Sequence, residues 1–199
     1  TVAGQEYSTD LRALELETAQ LTDEDLEQIG YMINLTELYL PDTGSFGDLT
    51  PLSNLTELRT LRFSGDSNNP STNIRDLSPL AELTNLTRLD IVGTFDDLSP
   101  LAGLTNLTNL RIEGNLSFQD LTPLSGLTEL RILWIRPIGN NATFYLSDLT
   151  PLSELTKMEE LRLDVEGISD FDWAAGMTNL RVLECYGSEA TYPNVDGLS

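Results

Sequence analysis

Leucine recurs along this chain in a fixed pattern, L-x-x-L-x-L, and its spacing constrains the fold more than any other feature of the sequence. Close variants of the pattern begin 21 to 28 residues apart, at Leu11, Leu35, Leu58, Leu86, Leu107, Leu130, Met158 and Leu180. Each unit of this length supplies one β-strand, and it buries its leucines only against neighbouring units. The sequence therefore predicts a solenoid of about eight stacked units.

The segments between the strands are also regular, and they carry proline. The phrase D-L-[ST]-P-L occurs at 48–52, 76–80, 97–101, 120–124 and 148–152. Proline fixes its own backbone angle and donates no hydrogen bond, so it favours a turn, and the preceding aspartate is suited to cap that turn. We therefore predict an α/β solenoid of the leucine-rich repeat class. A curved parallel β-sheet should form its concave face, with turns and short 3-10 or α-helices on its convex face.

Charge is distributed unevenly between the strands and the rest of the chain. Eight seven-residue strand segments, each a leucine pattern plus one residue, contain nine of the ten arginines and nine acids. The rest of the chain contains two cations and 23 acids, which accounts for the net charge of -21. The strand face is therefore expected to be arginine-rich and balanced. The net charge argues against sequence-independent binding to nucleic acid or to an anionic membrane.

Residues that alternate with the leucines face the opposite side of each strand, where packing does not dictate their identity. Parallel stacking should align the middle residue of this kind from each unit in one lateral row: Glu15, Tyr39, Arg62, Asp90, Arg111, Trp134, Arg162 and Glu184. One interpretation is a self-satisfied charge ladder, in which Asp90 bridges Arg62 and Arg111 while Arg162 pairs with neighbouring acids. Each such cross-strand pair would contribute little to stability.

Trp134 differs from the rest of this row because it is a large apolar side chain that alternation places outside the core. An aromatic residue among arginines has the composition of a binding hot spot. The alternative is a structural role, in which Trp134 stacks on an arginine or lies under the adjacent loop. We predict ligand contacts on the concave face at Trp134, Arg136, Arg111, Arg162, Arg62, Tyr39 and Arg88.

Two longer units carry their extra residues directly after the strand, at 64–73 and 137–145. Both insertions are rich in loop-forming residues, and insertions on one rim of a solenoid often form part of its binding surface. The second insertion should bring Phe144 and Tyr145 close to the Trp134 unit. The alternative is a loop that packs its aromatic side chains onto the core.

The wording of the repeat also resembles a known family. The phrase DLSPLAGLTNLTNLRI at 97–112 is similar to the internalin-type leucine-rich repeats of Gram-positive bacterial surface proteins. The resemblance extends from about residue 11 to about residue 186. The asparagine that this family places after the strand is matched at Asn115, whereas Thr43 and Thr94 occupy that region elsewhere. The resemblance implies a domain outside the cell or on its surface that docks a protein or glycan on its concave face.

The sequence offers little for catalysis or metal binding. It has no histidine, no nucleophile–base arrangement, no phosphate-binding glycine loop and no zinc motif. Cys185 occupies an inward strand position and is interpreted as a core residue. The acid pairs Asp96–Asp97 and Asp170–Asp172 lack the spacing of an EF-hand calcium loop and are interpreted as solvated loop acids. We therefore expect no catalytic residue, no metal and no cofactor.

The function expected on these grounds is that of a non-catalytic binding module. Two alternatives remain: a structural spacer within a large surface protein, and an intracellular protein-interaction scaffold. No apolar run approaches the roughly 20 residues needed to span a bilayer, so this region is not expected to insert into a membrane. We expect the chain to be a monomer.

Three regions are expected along the chain: an N-terminal flank at 1–10, a repeat domain at 11–186, and the start of a further repeat or a C-terminal flank at 187–199. Within the domain, residues 22–32 predict a helix with Thr22 as N-cap and acids in its first turn. Trp173 stands where other units have proline, and we predict that it packs in the core or at its edge. The sequence ends inside what reads as another repeat, so we expect it to be part of a longer protein.

Overall fold

The computed structural model of the chain describes residues 1–16, 20–41, 46–64, 74–138, 144–168 and 170–185. Within these ranges the strands form one parallel sheet in the order of the sequence. They are β1 (Ala13–Glu15), β2 (Glu37–Pro41), β3 (Thr60–Ser64), β4 (Arg88–Phe95), β5 (Asn109–Leu116), β6 (Ile132–Pro137), β7 (Glu160–Leu163) and β8 (Val182–Cys185). The predicted leucine-rich repeat solenoid is confirmed, with the curved sheet on one face and short helices on the other.

The strands align because their leucines align. Leu89 of β4 lies opposite Leu61 of β3 and Leu110 of β5, and each strand contributes a leucine at this position. From β1 to β7 these leucines are buried in one continuous core. Full burial of a leucine side chain is worth about 1.5–3 kcal/mol. A shift of one residue in register would turn the whole set outward, so the register is strongly specified.

On the convex side the D-L-[ST]-P-L phrases form 3-10 helices, as predicted. These are Thr50–Asn54, Ser78–Leu80, Ser99–Leu101, Thr122–Leu124 and Thr150–Leu152, and the last unit has Asp172–Ala174 instead. In each of the five turns the aspartate side chain accepts a hydrogen bond from the backbone N–H two residues later, at 2.8–2.9 Å. The predicted capping role of the aspartate is therefore confirmed.

These aspartate caps should make the solenoid sensitive to acid. Hydrogen bonds from the side chain and then the backbone of the Ser or Thr two residues later lower the pKa of the capping carboxyls below 3.8, at Asp48, Asp76, Asp97, Asp120 and Asp148. Because the pKa is lower in the folded chain, the caps stabilise the fold above about pH 4, and this contribution is lost as the pH falls through the folded pKa values. A variant with asparagine at all five positions keeps the acceptor but does not titrate. Its melting temperature should therefore fall less steeply below pH 4 than that of the wild type.

The matched control removes five carboxylates outside the caps. It changes exposed glutamates to glutamine at Glu6, Glu27, Glu57, Glu82 and Glu154. Thermal unfolding of the three proteins between pH 2 and pH 7 makes the comparison. If both variants reduced the fall in melting temperature below pH 4 to the same extent, the acid sensitivity would come from general charge rather than from capping.

The first unit replaces its 3-10 turn with helix α1 (Asp23–Ile29). Thr22 is the N-cap, as predicted, and it forms a capping box in which Asp25 accepts from the Thr22 backbone N–H at 3.0 Å. The predicted helix end at residue 32 is wrong. The chain leaves the helix at Gly30, and the Met32 N–H donates to the Ile29 carbonyl at 2.8 Å in a tighter turn. The N-terminal flank attaches to this helix, since the Ala3 N–H donates to Asp25 at 2.7 Å.

Polar residues of the repeat bind the backbone of the preceding unit. The Thr87 hydroxyl donates to the Arg59 carbonyl at 3.0 Å, and the Asn106 side chain donates to the Thr84 carbonyl at 2.9 Å. Both residues belong to the N-L-T wording, which is therefore part of the scaffold. Asn115, the residue that matched the family's asparagine after the strand, is exposed.

The two residues predicted to pack inward near the last unit do so. Trp173 is buried beside Phe171, and its indole N–H donates to the Asp170 carbonyl at 3.0 Å. Cys185 is also buried, which raises the pKa of its thiol to about 11. The predicted flank or repeat at 187–199 lies outside the described residues. None of the helices in the described ranges has the length and apolar character that a bilayer span requires.

Candidate functional site

The predicted lateral row is present in the sheet. Strand register places eight residues side by side, one from each strand: Glu15, Tyr39, Arg62, Asp90, Arg111, Trp134, Arg162 and Glu184. They alternate with the inward leucines, so they lie on the side of the sheet opposite the core. Neighbouring strands are about 4.8 Å apart, so adjacent side chains in the row are close enough to touch.

Trp134 is the centre of a three-residue stack in this row. The guanidinium carbon of Arg111 lies 4.6 Å from the centre of the indole ring, and that of Arg162 lies 4.7 Å from it. The two arginines come from the strands on either side of β6, so one guanidinium covers each face of the indole. The stacking alternative considered from the sequence is therefore correct. The edge of the indole, rather than its faces, is what a ligand would meet.

Both stacking arginines are also paired with acids. The Arg111 Nε donates to Glu113, whose side chain is only 4% exposed. Arg162 donates from Nη1 to Glu184 at 2.8 Å, and its Nη2 lies 3.8 Å from Glu160. The expected pairing of Arg162 with neighbouring acids is confirmed. These pairs fix the two guanidinium groups against Trp134, so the stack is organised before any ligand arrives.

A second cluster lies further toward the N-terminus on the same face. Asp90, only 5% exposed, accepts from the Arg62 Nε at 2.7 Å and from the Arg88 Nη2 at 3.2 Å. The guanidinium carbon of Arg62 lies 5.6 Å from the Tyr39 ring. Three predicted ligand-binding residues, Tyr39, Arg62 and Arg88, therefore form a group of their own around Asp90.

The predicted ladder is wrong in one of its pairs. Asp90 was expected to bridge Arg62 and Arg111, but its second partner is Arg88, and Arg111 pairs with Glu113 instead. The reason is geometric. Residues two apart on one strand share a face, so Arg88 reaches Asp90 and Glu113 reaches Arg111 along the strand. Stacking on Trp134 then keeps Arg111 turned toward β6.

A depression beside the stack, which we call the Trp134 notch, brings together four of the predicted ligand-binding residues. Its volume is about 220 Å³, and it is lined by Arg111, Trp134, Ile135, Arg136, Arg162, Asp164 and Glu184. Asp164 was missed from the sequence, although a signal was present: it follows Arg162 by two residues and therefore shares its face. Burial raises the pKa of Asp164, and the charge of Arg136 opposes that rise.

Two polar atoms of the notch residues are buried without a hydrogen-bond partner. They are the indole Nε1 of Trp134 and the Nε of Arg162. Both are donors, and a buried donor without an acceptor is unfavourable by about 1–3 kcal/mol. The notch is thus rich in N–H groups that the surrounding carboxylates do not all satisfy.

The two aromatic residues of the 137–145 insertion lie in different environments, one buried and one exposed. Phe144 is buried and packs edge-on against Phe118, with ring centres 5.0 Å apart, so the core-packing alternative holds for it. Tyr145 is 55% exposed and lies on the rim of the sheet, bridged to Glu166. Residues 139–143 and most of the 64–73 insertion lie outside the described residues.

The acid pairs considered for calcium have structural contacts. Asp97 caps its turn, and Asp170 accepts from the Asp172 N–H at 3.3 Å. Across the described ranges, no three acids or cysteines converge in the way that a metal site requires. What the strand face presents is hydrogen-bond donors, an aromatic edge and fixed charges, which suits recognition of another molecule.

This fold and face are those of a leucine-rich repeat protein, and solved structures agree. The chain is similar to internalin F from Listeria monocytogenes, at 29% identity and a TM-score of 0.71 over 88% of this chain and 48% of that one. It is similar to internalin C2 from the same organism, at 36% identity and a TM-score of 0.61 over 87% and 80%. The ectodomain of the Arabidopsis receptor kinase HAESA, solved in complex with an IDA peptide hormone, shares the fold at 22% identity and a TM-score of 0.59 over 84% and 28%.

The chain therefore belongs to the internalin family. It spans about half the length of the internalin F structure that it matches. Its leucine-rich repeat neighbours indicate a family of protein-interaction modules. No protein-family model matches the sequence, and no curated protein does.

Proposed function

We propose that this chain is a non-catalytic binding module of a bacterial surface or secreted protein, and that it docks a protein ligand across its concave strand face. The observation that carries the proposal is the Arg111–Trp134–Arg162 stack on the side of the sheet opposite the core. Membership of a family of protein-interaction modules supports it. The placement of arginine supports it too, because five of the ten arginines lie on this face: Arg62, Arg88, Arg111, Arg136 and Arg162.

The stack suits a binding centre because it combines rigidity with exposure. The side chains of Arg111 and Arg162 are still 34% and 37% exposed although both are paired. The Arg111 guanidinium, which the buried Glu113 carboxylate holds in place, is already positioned for a ligand, so little of its side-chain entropy is lost on binding. Trp and Arg are also the residue types that dominate protein interfaces energetically.

The second cluster extends the proposed surface along the row. Tyr39 and Arg62 lie on β2 and β3, and Arg88 lies on β4 beside Asp90. Burial, and then the hydrogen bond that the Tyr39 hydroxyl donates to Glu37 at 3.0 Å, raise the pKa of Tyr39, so it stays a neutral phenol. A protein that spans both clusters would cover the middle of the sheet.

Trp134→Ala should weaken binding of the protein ligand by about 2 kcal/mol, or about 30-fold in Kd, while the domain remains folded. The ligand is first captured on the immobilised chain from surface extracts, and its Kd is then measured by calorimetry for each variant. Tyr31→Ala is the control, because Tyr31 is an aromatic residue that is 69% exposed and follows α1, off the strand face. We expect its Kd to equal that of the wild type.

The structural-spacer alternative makes the opposite prediction, because a spacer needs no particular residue in the row. Unchanged Kd for Trp134→Ala, with unchanged thermal unfolding, would therefore favour the spacer.

The location of the domain distinguishes a surface protein from the intracellular alternative. An antibody raised against the domain should label intact bacteria, and labelling only after lysis would contradict the surface assignment.

A further inference from the structure

We propose that the Trp134 notch receives the carboxylate of an aspartate or glutamate side chain from the protein partner. The proposal rests on the function proposed above and names the chemistry of one contact within it. Three guanidinium groups and an indole N–H line the notch. Acids pair with Arg111 and Arg162, yet the indole N–H and the Arg162 Nε still have no acceptor. A carboxylate from the partner is the side chain best able to use this excess of donors.

The hydrogen bonds already present do not use all of the N–H donors in the notch. A guanidinium has five N–H donors in a fixed planar arrangement. Arg111 uses its Nε for Glu113, and Arg162 uses Nη1 for Glu184. The indole Nε1 of Trp134 and the Nε of Arg162 have no acceptor among the described residues. Each would gain a partner from one additional carboxylate, which accepts at both of its oxygens.

The carboxylates that line the notch do not fill this role. Glu184 is engaged by Arg162, and neither Glu184 nor Asp164 accepts from the Trp134 indole. Asp164 lies close enough to Arg136 for its charge to be felt. The unmatched donors belong to Trp134 and Arg162, and the Arg162 side chain is 37% exposed. Both donors are buried, so the incoming carboxylate reaches them by replacing Glu184 as the partner of Arg162, while Arg111 stays paired with Glu113.

The size of the notch and its position in the sheet favour a carboxylate from a side chain of the partner over the carboxylate at the partner's C-terminus. A volume of about 220 Å³ has room for one side chain and little more. The notch is bordered by β5, β6, β7 and β8, and the other four strands of the described sheet continue from it toward the N-terminus. A partner that lies along the sheet therefore crosses the notch and presents a side chain to it.

The charge of the whole chain narrows the proposal further. At -21 the chain repels a strongly acidic partner at long range. Attraction at the notch is short-ranged because it depends on hydrogen bonds. The expected ligand segment thus has one acidic residue in neutral or basic surroundings.

The test uses the full 199-residue chain labelled with nitrogen-15, and it observes the two indole N–H resonances by NMR. Trp134→Phe identifies the Trp134 resonance. Trp173 is the internal control, because its indole N–H already donates to the Asp170 carbonyl. The probe is a short peptide, acetylated and amidated at its ends, with a single central glutamate among glycines. Its match has glutamine at the centre.

The glutamate peptide should shift the Trp134 resonance saturably, with a Kd in the millimolar range expected of one side chain. The glutamine peptide should bind at least about tenfold more weakly, since it lacks the charge that strengthens these hydrogen bonds. Arg162→Gln should raise the Kd of the glutamate peptide at least about fivefold. Arg75→Gln should leave this Kd unchanged, because Arg75 is exposed and lies off the strands.

Several results would overturn the proposal. They are an equal response to both peptides, no shift of the Trp134 resonance by the glutamate peptide up to about 20 mM, and a response only to an all-glycine peptide with a free carboxyl terminus. Any of these, combined with weaker binding of the captured protein to Trp134→Ala, would remove this inference and leave the proposed function standing. Binding of the captured protein that is insensitive to Trp134→Ala would remove the proposed function itself.

Discussion

Gly114→Val should destabilise the domain by about 4 kcal/mol, the sum of a strained backbone and a clash between neighbouring strands. Gly114 has φ of +129°, a region that residues with a side chain rarely adopt. A Cβ at this position would lie 1.9 Å from the carbonyl oxygen of Gly93, its register partner on β4. Backbone carbonyls at the end of two long paired strands cannot move aside without breaking the ladder. Such a loss corresponds to a fall in melting temperature of about 10 °C for a chain of this size.

Gly126→Ala is the matched control, because no atom lies within 4 Å of a Cβ built there and its φ is not in the positive region. It should change stability by no more than about 0.5 kcal/mol. Thermal unfolding followed by circular dichroism compares the two variants with the wild type. Similar melting temperatures for all three proteins would show that β4 and β5 separate easily at this end, contrary to the close approach of Gly93 and Gly114.

The architecture and the lateral row followed from the sequence because both depend on periodicity. A spacing of two residues decides which side chains face inward, and a repeat of fixed wording decides which strands align. Leu89 and Asp90 illustrate this: the first is in the leucine core and the second is in the row, as alternation requires. The Asp97 cap was also predictable, because the aspartate recurs at the same place in each D-L-[ST]-P-L phrase. There its side chain lies next to the free backbone N–H groups of the turn.

The charge pairs within the row did not follow from the sequence, because periodicity gives the face of a side chain but not its direction within that face. Arg111 could have turned toward Asp90, Trp134 or Glu113, and it contacts the last two. The burial of side chains at outward positions could not be predicted from the sequence either. Asp90 and Glu113 occupy outward positions, yet both are buried beneath arginine side chains. The shape of the Trp134 notch depends on these choices and could not be predicted. Its four predicted residues could be, and Asp164 carried the same signal of shared face, since it follows Arg162 by two residues.

Arg111→Leu should destabilise the domain by about 3 kcal/mol, the low end of the cost of breaking a buried ion pair, because Arg111 itself remains a third exposed. The substitution leaves the Glu113 carboxylate, 4% exposed, without the guanidinium that neutralises it. It also removes one of the two cation contacts with Trp134, a smaller loss of about 0.5–1 kcal/mol. Urea unfolding of the single and double variants measures the effect.

Adding Glu113→Leu to Arg111→Leu should restore stability to within about 1 kcal/mol of the wild type, because a buried ion pair can be replaced by apolar residues at little cost. The new leucine would lie beside Val92, the buried register partner of Glu113. Arg131→Leu is the control. Arg131 is 55% exposed and its partner Glu159 is 32% exposed, so this surface pair should contribute less than about 1 kcal/mol.

If Arg111→Leu proved no more costly than Arg131→Leu, Glu113 would be as well solvated as a surface acid. If instead the double variant regains the lost stability, Arg111 has two roles that must be separated. One is to neutralise Glu113, and the other is to hold Trp134 for a ligand. Ligand affinity should then be compared between the double variant and the wild type, because in that pair the stability is matched while the Arg111 contact with Trp134 is lost.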